Sequence, residues 1–154
     1  MEVFAVPDIP EIRPGDDLGA LISERVDLQE DDVVCIASTA VSKAEGRQAN
    51  LADFEPGERA EAIADRIGAV AGESKDPRFA QAVIEQSSEM VLEAPFLLAV
   101  TQFGHITVNA GIDRSNVPDA DMLLLPVDPT ESATRISDAI GAPVVVTDTS
   151  GRPF

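Results

Sequence analysis

"DPTESATRISDAIGAPVVVT", residues 128–147, decides the fold class. Asp128 can accept hydrogen bonds from a first helical turn, Pro129 suits the first helical position, and Glu131 completes a capping-box-like start. Ala133, Ile136 and Ile140 recur at helical spacing, and Gly141 suits a stop. "PVVVT" follows at once as an apolar strand. A capped amphipathic helix running straight into a buried strand is a building unit of α/β chains. "DDVVCIAS", residues 31–38, reads as a second buried strand, of the kind found in sheets covered on both faces. Cys35 is read there as a small apolar residue inside the strand.

Outward from these two strands, "MEVFAV" reads as an opening strand, with Val3 and Ala5 on one face and Phe4 and Val6 on the other. "PDIPEIRPGDD" must be a loop. Asp17 can cap a short helix with Leu18, Leu21 and Ile22 on its apolar face. Ala60, Ile63, Ile67 and Val70 carry a helix that Gly72 stops. Asp76 and Pro77 start another. "MVLEAP", "FLLAVTQ" and "HITVNA" read as short strands, the last two joined by "FG" in a hairpin, and "MLLLPV" reads as a further buried strand. The expectation is one domain with a mixed β-sheet and packed helices, of α/β (α+β) type. A central-looking strand such as "VVVT" is an odd last element, so the chain is expected to be the front part of a longer fold or to be completed by a partner subunit.

Composition narrows the function classes. The 154 residues hold 28 Asp plus Glu against 11 Lys plus Arg, a net charge of -17. Only Lys43 and Lys75 are lysines. Such a surface repels nucleic-acid phosphates and anionic membranes. Acid excess, scarce lysine and few aromatics suggest adaptation to high salt, where counterions screen self-repulsion. No apolar run is long enough for a membrane span, and "MEVFAVPDIPEI" has no basic region of a signal peptide, so the expected location is the cytoplasm. A single cysteine excludes an internal disulfide and a multi-cysteine metal site. His105, the one histidine, reads as a strand-surface residue.

Three polar segments follow strands, where α/β proteins build sites. "STAVSKAEGR", residues 38–47, offers hydroxyls and an ammonium that can cradle phosphate oxygens, although it is no Walker A loop. "NAGIDRSN", residues 109–116, offers Gly111 for a tight backbone and Asp113 for a hard cation. "TDTSGR", residues 147–152, places Asp148 and Thr149 at a strand end, able to share magnesium or manganese. Taken singly, each segment is equally readable as an ordinary turn.

Taken together, "IPEIRPGDDL", "IASTAVSKAEGR", "ERAEAIADRIG", "DPRFAQAVIEQS", "VNAGIDRSNV" and "VVVTDTSGRPF" resemble, in order, the coenzyme F420-0:L-glutamate ligases. The resemblance implies a mixed α/β fold that is neither P-loop nor Rossmann. It implies GTP-dependent addition of L-glutamate to coenzyme F420-0 through an acyl phosphate, with magnesium or manganese, potassium, and a homodimer. By the same resemblance Ile9, Pro10, Glu11, Ile12, Ser38, Thr39, Lys43 and Asn116 would bind the nucleotide, and Asp113, Asp148 and Thr149 the metal. It further implies a glycine-rich nucleotide loop and another metal ligand beyond Phe154, so these residues are expected to be the N-terminal portion of that domain. Two other readings stand beside it. One is a catalytically incompetent nucleotide-binding or dimerising fragment. The other is a metal-dependent phosphohydrolase using Asp113 and Asp148.

Overall fold

The computed structural model describes residues 2–72, 75–115 and 117–148. In chain order the elements are α1 (Leu18–Ser23), β1 (Val34–Ala37), α2 (Ser38–Ala44), β2 (Gln48–Ala49), α3 (Glu58–Ala71) and α4 (Pro77–Glu85). They continue with β3 (Ser87–Leu92), β4 (Leu98–Thr101), β5 (Ile106–Val108), β6 (Met122–Leu123), α5 (Pro129–Ile140) and β7 (Val144–Thr147). The architecture is α/β of α+β type. Its parallel and antiparallel pairings, expected in one mixed sheet, lie in separate small sheets among the described residues. The described residues gather into two compact units, one within 2–47 and 126–148, the other within 48–125.

In the first unit β1 and β7 pair in parallel, Val34 opposite Val144 through Ala37 opposite Thr147. Helix α5 forms as its caps dictate. Asp128 Oδ1 accepts from the Thr130 and Glu131 amides, both at 2.9 Å, and Gly141 ends the helix in the left-handed region. Such a cap contributes about 1 kcal/mol. Asp17 caps α1 in the same way, its carboxylate accepting from the Ala20 amide at 3.0 Å. Helices α1 and α5 approach closely, because a Cβ on Gly19 would stand only 2.9 Å from that of Ala139. Ile12, Leu18, Ile22, Val34, Ile36, Val41 and Ile136 form the core between helices and sheet.

The second unit is built on α3 and α4 against the β3–β4–β5 meander, with β2 paired antiparallel to β6. Asp76 caps α4 through the Arg78 amide with Pro77 at its first position, and Gly72 closes α3 in the left-handed region, as the sequence suggests. The β4–β5 hairpin turns through "FG", and His105 lies exposed with its ring edge-on to Phe103. Ile63, Phe79, Val83, Leu97 and Met122 are almost fully buried at its centre.

Four expectations need correction. Residues 2–6 form no strand; Val3 and Phe4 are exposed, and an extended segment without a partner leaves its backbone groups to water. The β1–β7 sheet is covered on one face alone in its unit. Val33, Cys35 and Val145 stand exposed on the other, so Cys35 is no interior residue. Val70 is exposed at the end of α3, where the apolar stripe has rotated off the core. "MLLLPV" is buried over Met122–Leu124 but pairs only at Met122 and Leu123, because its ladder partner β2 is two residues long.

Candidate nucleotide and metal sites

Strand β1 passes straight into α2, with Ala37 as the N-cap and no side-chain cap on the first-turn amides. Uncapped helix N-termini at the carboxyl ends of parallel strands favour anionic groups. Ser38, the first helical residue, is buried, and its Oγ donates to Asp148 Oδ1 at 3.3 Å just beyond β7. The parallel register makes this meeting, since Ala37 lies opposite Thr147.

Further along α2, Thr39 and Ala40 in its first turn and Lys43 in its second face the "IPEI" segment. A cleft of about 190 Å³ is lined by Ile9, Pro10, Glu11, Ile12, Thr39, Ala40 and Lys43. Lys43 Nζ donates to Glu11 Oε1 at 2.5 Å, with the lysine side chain largely buried and the glutamate half-exposed. Several ties hold the loop that carries Glu11 and Ile12. Ile12 enters the core of this unit. The Gly15 amide donates to the Ala44 carbonyl at 2.8 Å, and the Arg13 amide to Asp16 Oδ2 at 2.7 Å. Arg25 Nε reaches the Asp8 carbonyl at 3.1 Å. A wall of proline-braced backbone thus faces a helix carrying a hydroxyl and a buried ammonium. Such a combination can grip an aromatic or ribosyl body on one side and phosphate oxygens on the other.

Of the residues expected at a nucleotide, Ile9, Pro10, Glu11, Ile12, Thr39 and Lys43 therefore line one cleft. Ser38 sits at the start of the same helix, bonded to Asp148. Ala40 also lines the cleft. The sequence reading did not single it out, though its place between Thr39 and Lys43 on a helical turn is a readable signal. Asn116 and Thr149 lie outside the described residues.

Asp113 belongs to the second unit. The segment before it is strained: Asn109, Ala110 and Gly111 take φ of 54°, 53° and 72° in succession. A side chain on Gly111 would collide with Leu125, so this position requires glycine for space as well as for backbone. Asp113 then exchanges both backbone hydrogen bonds with Leu123, at 2.8 and 3.0 Å. Its Oδ1 accepts from the Ser115 amide and Oγ at 2.8 and 2.7 Å, which leaves Oδ2 for another donor or a cation. Asp113 and Asp148 both offer hard oxygen, the donor type that magnesium and manganese take. Among the described residues no three Asp, Glu, His or Cys side chains cluster into a complete metal site.

No helix among the described residues is long and apolar enough to cross a membrane. The family model described as F420-0:Gamma-glutamyl ligase matches residues 8–154. The chain is 68% identical over 155 residues to a coenzyme F420:L-glutamate ligase of Halorubrum lacusprofundi, covering all of this chain and 62% of that protein. It is 66% identical over 154 residues to the like-named protein of Natronomonas pharaonis, 61% of which it covers. The corresponding protein of Archaeoglobus fulgidus is 48% identical over 160 residues, at 62% coverage. The chain thus spans less than two thirds of the length of these relatives. A match over residues 8–154 that takes in "IPEI", "STAVSK", "NAGID" and "TDTSGR" makes this chain a member of the F420-0:Gamma-glutamyl ligase family.

Proposed function

We propose that this chain carries the nucleotide-binding part of a GTP-dependent ligase that joins L-glutamate to coenzyme F420-0, in coenzyme F420 biosynthesis. The observation that supports it most is the cleft in which six of the residues expected at GTP stand together. In this reading a carboxylate oxygen of F420-0 attacks the γ-phosphorus of GTP, the bond to the bridging oxygen breaks, and GDP leaves. The glutamate amine then attacks the acyl phosphate carbon, phosphate departs with the bonding pair, and the amine proton passes to solvent. The product is an amide, and repetition through the side-chain carboxyl gives a γ-glutamyl link.

The chain's own residues would work by position and charge. Lys43 would turn from Glu11 towards phosphate oxygens, and the amides at the start of α2 would add donors. Ile9, Pro10 and Ile12 would exclude water from one side of the nucleotide. Asp113 and Asp148, with Thr149, would hold magnesium or manganese, which when bound neutralises phosphate charge. Potassium and a second subunit complete the proposed holoenzyme, and the acid-rich surface suits cytoplasm of high salt content.

A second reading follows from the 62% coverage of the relatives: a fragment that binds GTP and turns nothing over. An assay in molar KCl with F420-0, L-glutamate, GTP and manganese separates the readings. Glutamylated product establishes the ligase. GDP release without amide identifies a phosphohydrolase. GTP binding without either product identifies the fragment. Absence of GTP binding overturns the proposal, as does unchanged metal-dependent GTP affinity in both Asp113→Ala and Asp148→Ala.

A further inference from the structure

A left-handed backbone at a residue other than glycine needs something to hold it. Among the described residues of the first unit, Asp8 alone of the non-glycines takes a positive φ, at 53°. It stands immediately before Ile9 and Pro10, in the turn from which the "IPEI" wall of the cleft starts. Residues 7–10 are exposed, so burial does not fix this turn. Ile12 is the first residue of the stretch to enter the core.

Arg25 supplies the hold. Its Nε donates to the Asp8 carbonyl at 3.1 Å. The bond is to the backbone, so a change of the Asp8 side chain leaves the acceptor in place. At its other end the guanidinium is itself fixed to α1. The Arg25 amide donates to the Ile22 carbonyl, and Nη1 takes the Leu21 carbonyl at 2.8 Å, in the last turn where carbonyls lack helical partners. Nη1 also reaches Glu24 Oε2 at 3.3 Å. Helix α1 is anchored in turn, with Leu18 and Ile22 in the core and Gly19 close against α5. The rigid fork of a guanidinium lets one side chain bridge helix and loop, which a single ammonium on a flexible stem does poorly. Arg25 does not line the cleft, so its effect passes through the Asp8 backbone.

We propose that Arg25 is a positioning residue for the nucleotide site: by holding the Asp8 carbonyl it keeps the left-handed turn that sets Ile9 and Pro10 in the wall opposite Thr39 and Lys43. The inference rests on the reading of that cleft as the GTP site. Released from Arg25, Asp8 relaxes to a negative φ and the wall shifts, while the Lys43 charge stays where it is.

Two measurements test it separately. Isothermal titration in molar KCl with manganese reads GTP affinity. NMR without nucleotide reads the sign of φ at Asp8, from the strong amide-to-Hα contact that a positive φ produces within one residue. Arg25→Gln should weaken GTP binding about fivefold or more and abolish that contact. Arg25→Lys, which keeps the charge and loses the fork, should do nearly the same. Asp8→Gly added to Arg25→Gln should recover much of the affinity, because glycine takes a positive φ without strain. Asp8→Ala added instead removes the same carboxylate but keeps the strain, and should recover none. A merely structural role at the end of α1 would not distinguish these two substitutions. Equal GTP affinity in wild type and Arg25→Gln overturns the proposal, as does recovery by Asp8→Ala as full as that by Asp8→Gly. Wild type that binds no GTP overturns the cleft reading instead, and the sign of φ in Arg25→Gln then still decides whether Arg25 sets the loop.

Discussion

In the proposed reading, Lys43 couples packing to nucleotide recognition. Its ammonium sits largely buried and held by Glu11, so removing it costs twice: a carboxylate loses its partner and the cleft loses its charge. Lys43→Ala should weaken GTP binding by roughly 10-fold to 100-fold, as expected for losing a charge-assisted contact. Isothermal titration in molar KCl measures it. Glu11→Gln should weaken GTP binding far less, because phosphate would compete with Glu11 for the same ammonium. At Gly111 the issue is shape. Gly111→Ala forces a side chain into Leu125 at a φ of 72°, and should cost about 2–4 kcal/mol, read from a denaturation midpoint. This glycine was legible in the sequence as a hinge. Its second constraint, the collision with Leu125, was not, because that contact joins residues apart in sequence. Lys43 was legible through the scarcity of lysine; its pairing with Glu11 was not, since only the folded loop brings "IPEI" against α2.

At the scale of elements, Glu93 after β3 clamps α3 to the meander. Arg59 donates to its Oε1 at 3.0 and 2.8 Å, and Arg66, two turns along the same helix face, reaches Oε2 at 2.8 Å. Foremost the Arg59 hydrogen bond, and then that of Arg66, hold the Glu93 carboxyl below its usual range against an opposing effect of burial. A carboxyl lowered on folding stabilises the native state above the unfolded value of roughly 4.3, and the gain fades as pH falls through the lower folded value. Glu93→Gln should therefore lower the melting temperature at pH 7, and the gap from wild type should close as pH falls through the lowered folded value. A gap that persists in acid would mean packing rather than charge. The helices themselves were largely readable, because Asp17, Asp76 and Asp128 announce their starts locally. The opening strand was not, because a strand requires a neighbour: "MEVFAV" alternates well and pairs with nothing described. The same reason limits "MLLLPV", whose composition shows burial but whose partner is short.

For the whole molecule, a net charge of -17 on 154 residues governs its response to solvent more than any single contact does. Screening lengths shrink from about 10 Å at 0.1 M salt to about 3 Å at 1 M. Thermal stability should therefore rise steadily from dilute buffer to molar KCl, and scanning calorimetry across that series checks it. A flat profile would mean that the acids repel one another little in the folded state. Charge could be read from composition alone, and so could the leaning toward salt. Which side of each strand meets solvent could not, since continuous apolar runs such as "VVVT" and "VVCIA" look alike whether one face is covered or two. The open face of the β1–β7 pair has a practical use. It carries the sequence's sole thiol, at Cys35, in view of solvent. A maleimide fluorophore or a nitroxide should attach there in one-to-one stoichiometry without denaturant, with no engineering of the chain. The emission colour or spin mobility of that label would then register any molecule that settles over the sheet, and washing it away would return the signal.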